Sequence, residues 1–158
     1  MNRRLPALAV LLGIIGLIPF IACGLAAVSL RAAPHASQLL AALVGYGAVT
    51  LAFLGGVHWG FALGDEAGRG ERPRLALGVV PALVGWVALL VPLVAPIEGG
   101  IAVLIAGYIG VAVLDSSLRQ QGFVPPGYLA LRWGLTIAVV ALLTTVLVLR
   151  LAGAHIVL

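Results

Sequence analysis

Long apolar stretches separated by short polar connections run through this chain from end to end. Five stand out, approximately Leu5–Leu30, Gln38–Leu63, Leu75–Ala95, Gly100–Leu118 and Leu129–Leu151. Each is close to the ~20 residues an α-helix needs to cross hydrocarbon. A lone segment in lipid must satisfy its backbone internally, so each stretch is expected as a helix. The pattern predicts an all-α, polytopic membrane protein, a bundle of five transmembrane helices making one domain over residues 1–158. The bilayer is then its first partner. Connections this short leave no place for a nucleotide-binding fold or a DNA reader, so no nucleic-acid partner is expected.

Composition strengthens this picture. Of 158 residues, 63% are hydrophobic and 9% are charged, against roughly 45–50% and 25% in soluble domains. The net charge of +4 comes from nine basic residues, all Arg, and their placement matters more than their number. Arg3 and Arg4 precede the first segment, Arg69, Arg72 and Arg74 lie between the second and third, and Arg119 and Arg132 flank the last connection. If all five segments span, those seven share one side, while Arg31 and Arg150 fall on the other. The positive-inside rule predicts an N-in/C-out topology.

Cys23 is the only cysteine, so an internal disulfide and a cysteine-based metal cluster are excluded. Arg3-Arg4 ahead of an apolar run resembles a signal peptide, and Phe20-Ile21-Ala22-Cys23 faintly resembles a lipoprotein cleavage box. The run continues to Leu30, however, which favours a retained first helix. Pro19 predicts a kink in that helix, with Gly13 and Gly16 one turn before it. Pro81 is expected to bend the third unless neighbours satisfy the released carbonyl. Gly56, Gly60 and Gly64 recur every four residues in the second segment. Such small-xxx-small steps allow backbones to approach closely, so helix packing is their expected role.

Candidate chemistry gathers near one membrane face. His58 lies about ~8 Å along the axis from the inner end of its helix, and Trp59 follows at a depth indoles prefer. Asp115 is about one turn from the inner end of the fourth segment, and Arg119 is placed to pair with it at i+4. Tyr128, Arg132 and Thr136 share an i, i+4, i+8 stripe at the start of the fifth. Ionisable residues inside a span are costly and so mark candidate sites. Two readings stand open. In one, the arginines snorkel to headgroups and Asp115 is a structural clasp. In the other, His58, Trp59, Asp115, Arg119, Tyr128, Arg132 and Thr136 form a pocket for a quinone-like or lipid head group, with Arg and His donating to its oxygens.

Other chemistry has little to work with. His58 is expected to be hydrogen-bonded rather than metal-bound. Haem ligation by the outer pair His35 and His155 is conceivable but weakly motivated. No zinc spacing, nucleophile elbow, phosphate loop or catalytic carboxylate pair appears. No catalytic residue, metal or cofactor is predicted, beyond the possible quinone or lipid.

Phe53-Leu54-Gly55-Gly56-Val57-His58-Trp59-Gly60 resembles the GGxHWG signature of an uncharacterised bacterial membrane family, domain of unknown function 3429. Its eukaryotic relatives include mitochondrial transmembrane protein 69. Arg74-Leu75, Val80-Pro81 and Trp86 resemble its third helix. Asp115, Tyr128-Leu129-Ala130-Leu131-Arg132 and Leu135-Thr136 resemble its last two helices. The resemblance covers roughly residues 40–140. The family often has an aromatic residue before the tyrosine, where this chain has Gly127. The resemblance implies a bacterial or mitochondrial inner membrane, and Arg-only basic usage favours a bacterial inner (cytoplasmic) membrane. It implies no mechanism.

The reading favoured by these residues is a non-enzymatic small subunit or assembly factor of a larger membrane complex, with a membrane-protein partner or a second copy as its contact. Head-group binding is the alternative. A proton-coupled transporter is weaker, because such carriers place charged sites at the bilayer midplane.

Overall fold

The computed structural model describes residues 7–29, 35–63, 71–120 and 126–154. Among them every regular element is helical: α1 Ala7–Ile15, α2 Ile18–Ser29, α3 Ala36–Leu63, α4 Glu71–Leu90, a 3₁₀ turn Val91–Leu93, α5 Ile97–Gln120 and α6 Pro126–Ala154. Five stretches are long and apolar enough to cross a membrane: Ala7–Ser29, Ala36–Gly60, Leu75–Leu93, Ile97–Gln120 and Gly127–Gly153. The arrangement of side chains fits lipid as the solvent. Large apolar residues such as Leu8, Ile18, Phe53, Leu83, Val113 and Ile137 are exposed, while His58, Asp115, Arg132 and Thr136 are buried. A protein folded in water shows the reverse bias.

Helix starts follow local chemistry. Pro126 opens α6, where its missing N–H and fixed φ cost nothing. Glu98, expected in a loop, lies in the first turn of α5, and Arg119 in its last. Both complement the helix dipole. The first span is broken rather than kinked. The break falls at Gly16-Leu17, ahead of Pro19, where the Leu17 N–H donates to the Ile14 carbonyl at 3.0 Å in a 3₁₀-type bond. Pro19 is thereby the second residue of α2, where an N–H is not needed. α4 runs through Pro81 without interruption.

The chain divides into two compact units, Met1–Leu43 with Tyr108–Leu158, and Val44–Gly107. In the first, α6 packs on α1 and α2. The Leu135 side chain lies 2.9 Å from where a Cβ on Gly13 would stand, and Leu142 lies equally close to that of Gly24. Phe20 of α2 meets Tyr108 of α5 edge to face, with ring centroids 6.2 Å apart. In the second unit, backbones approach at glycines. A Cβ on Gly85 would sit 2.8 Å from the Ala48 carbonyl oxygen. Gly55 of α3 and Gly78 of α4 lie back to back, each occupying space the other's Cβ would need.

Nothing among the described residues lies within 4 Å of where a Cβ on Gly56 or Gly60 would stand, so the expected packing role of these two glycines is not one between described helices of this chain; α3 approaches α4 at Gly55 instead. Spacing identifies a small face but not the direction it faces, and one residue of rotation separates Gly55 from Gly56. Gly64, the connection 65–70, the connections 30–34 and 121–125, and His155 lie outside the described residues.

Candidate functional site

The buried polar groups of the first unit converge where α5 ends and α6 begins. Asp115 sits in the last two turns of α5 and is 0% exposed; Arg132, in the second turn of α6, is 3% exposed. The Arg132 Nε donates to Asp115 Oδ2 at 3.1 Å. Its Nη1 donates to the Thr136 hydroxyl one turn along the same helix, at 3.0 Å. Nη2 is buried, and no described residue accepts a hydrogen bond from it. Of the α6 stripe read from the sequence, Thr136 bonds to the Arg132 guanidinium.

Beside the ion pair lies a second, neutral cross-link. The Trp133 indole N–H donates to the Ser116 hydroxyl at 2.9 Å, and that hydroxyl donates onward to the Ala112 carbonyl at 2.9 Å. Sequence reasoning missed Ser116 and Trp133. The available signal was adjacency: each helix carries two consecutive side chains able to bond across, Asp115-Ser116 and Arg132-Trp133.

Arg119 was expected to pair with Asp115; it is exposed at the end of α5, and the buried pair with Asp115 is made across the helix contact by Arg132. A partner across a helix contact is held by packing, which excludes lipid and water from the pair. Tyr128 is half-buried one turn before Arg132 and lies within electrostatic range of both Asp115 and Arg132.

His58 and Trp59 belong to the second unit. His58 is buried in α3 at 1% exposure. Trp59 is 45% exposed, and its indole N–H donates to the Leu75 carbonyl of α4 at 3.0 Å. Its ring lies against Gly78, where a β-carbon would not fit. Trp59 thus ties α3 to α4, and its one donor is already engaged. Among the described residues no group of His, Cys, Asp and Glu is placed to hold a metal ion.

Residues 5–148 match the family described as "Protein of unknown function (DUF3429)". An 86-residue stretch is 40% identical to Transmembrane protein 69 of Xenopus tropicalis, covering 54% of this chain and 33% of that protein. The corresponding protein of Mus musculus is 38% identical over 86 residues, covering 54% of this chain and 34% of its own length. The chain thus spans about a third of the length of the curated relatives it matches. No solved structure matches it.

Proposed function

The chain belongs to the DUF3429 family of unknown function, and on that premise we propose that it works by association. It is a non-enzymatic integral membrane protein, a small subunit or assembly factor that docks another membrane-embedded helix. The observation that carries this is the outward step on α3. Gly56 and Gly60 are four residues apart and exposed, with nothing within 4 Å of either missing Cβ. A glycine inside a helix costs roughly 0.5–1 kcal/mol relative to alanine. Close packing on α4 offsets that cost at Gly55, but nothing among the described residues offsets it at Gly56 or Gly60. Gly45, Gly110 and Gly134 are also open, but singly, without a second open glycine one turn away.

Val49, Phe53, Gly56, Gly60 and Leu63 follow one another at steps of four and three residues, and all are exposed. That spacing lays them along one stripe. A helix seated there meets bare backbone between two bulky shoulders, as close transmembrane contacts require. The arginine distribution supports an N-in/C-out orientation in a cytoplasmic or organellar inner membrane.

The test is Gly60→Leu in the full chain expressed in its host membrane, followed by crosslinking and native mass spectrometry in mild detergent. Loss of a stoichiometric protein partner, or of a second copy, with the monomer still folded supports association. Retention of every wild-type contact by the folded variant would overturn it.

A further inference from the structure

We infer that the Nη2 of Arg132 offers a site for a neutral carbonyl oxygen, of the kind a quinone ring or a glycerolipid ester presents. The inference rests on the α5–α6 cluster and stands independently of the α3 stripe. Three observations carry it.

The first is the state of the guanidinium. Arg132 is almost wholly buried, and of its three nitrogens Nε donates to Asp115 and Nη1 to Thr136, while Nη2 has no protein acceptor among the described residues. A buried donor left without an acceptor is expensive, more so in hydrocarbon, where no water offers relief. An acceptor supplied from outside the chain removes that cost.

The second is the geometry of what remains. An arginine grips a phosphate or carboxylate through two parallel donors. The edge through Nε is closed, because its single N–H goes to Asp115, and Nη1 already gives one of its two N–H groups to Thr136. Nη2 is the one nitrogen with no acceptor among the described residues, and a carbonyl oxygen needs only one of its N–H groups. Charge points the same way. Asp115 and Arg132 form a buried pair of opposite sign, so an arriving anion would bring unbalanced charge into a low-dielectric setting, whereas a carbonyl would not.

The third is that the ion pair is not needed to set the α5–α6 register. The neutral Trp133–Ser116 bond ties the same two helices at the adjacent positions. A buried ion pair is weak evidence for stability in itself. A charged pair retained beside a neutral lock fits a role in presenting the guanidinium.

The experiment uses full-length protein in dodecyl maltoside, a detergent without carbonyl groups, labelled with ¹⁵N-arginine. It is titrated separately with ubiquinone-1, dioleoylglycerol and dodecyl phosphate. The expected result is saturable binding of a carbonyl probe that shifts the slowly exchanging Nη resonances of the buried guanidinium. Saturation by ubiquinone-1 alone assigns the quinone source, and saturation by dioleoylglycerol alone assigns the ester. Arg132→Lys should weaken that binding at least ten-fold, while Trp133→Phe should leave it within two-fold. If Arg132→Lys fails to fold, the wild-type resonance shift decides. The inference is overturned if neither carbonyl probe saturates the folded wild type, if a folded Arg132→Lys binds equally well, or if dodecyl phosphate shifts those resonances in preference.

Discussion

Arg132 and Trp133 are neighbours in sequence, and both bond to α5, yet they do different things. The Arg132–Asp115 pair carries full charges at 3.1 Å in a region closed to solvent, whereas Trp133–Ser116 joins two neutral groups. Removing one member of a buried pair leaves the other charge poorly compensated. Arg132→Leu should therefore lower stability by about 3–5 kcal/mol, and replacing both residues by leucine should recover much of that loss. Reversible unfolding in mixed micelles measures both, and a double variant no more stable than Arg132→Leu would show that Asp115 is compensated elsewhere. Trp133→Phe removes one interhelical hydrogen bond, for which an effect of about 0.6–1.7 kcal/mol is expected in the same assay. Asp115, Arg132 and Thr136 were legible in the sequence because charge inside an apolar run is conspicuous. That Arg132 would reach Asp115 across the helix contact was not, because spacing within one helix says nothing about which neighbour faces it.

At the scale of the helix, glycine position decides more than glycine content. Gly55 and Gly56 are adjacent in α3, but Gly55 meets the α4 backbone at Gly78 and Gly56 meets nothing among the described residues. Gly78→Leu should prevent α3 and α4 from closing and displace the Trp59 indole from its bond to the Leu75 carbonyl. The expected outcome is loss of the folded monomer, read by size-exclusion profile and by tryptophan fluorescence. Gly60→Leu should leave monomer stability within about 0.5 kcal/mol, as for a surface site. Equal damage from the two would mean that the outward assignment of Gly60 is wrong. The first span makes a related point. Pro19 predicts an irregularity, but its form depends on where the chain can turn. With Gly16 just upstream, the break moves ahead of the proline, which then becomes part of the start of α2 rather than a defect inside a longer helix.

At the scale of the whole molecule, five crossing spans would place the two termini on opposite faces, and the arginine bias predicts the N-terminus inside. Reporter fusions at each terminus and in the 65–70 connection check this. An inward-active reporter is expected at the N-terminus and at the 65–70 connection, and an outward-active one at the C-terminus. A C-terminus on the same face as the N-terminus would require one of the five stretches not to cross. Transmembrane protein 69 matches over only about a third of its own length here, so the shared 86 residues are the part over which the two can be compared.

The sequence by itself determined the class of this protein. Apolar runs long enough to cross hydrocarbon leave the backbone no alternative to helix, and the arginines break the symmetry between the two faces. It also marked Asp115 and Arg132, since charge stands out against such a background. Only the tertiary structure decided which nitrogen of Arg132 is engaged, that Ser116 and Trp133 supply a second tie, and that Gly55 rather than Gly56 meets α4. Each of these depends on the rotation of a helix about its own axis. A rotation of one residue, about 100°, exchanges an inward side chain for an outward one. In a span apolar on nearly every face, hydrophobic pattern does not select between such rotations; close contact with a neighbouring helix does.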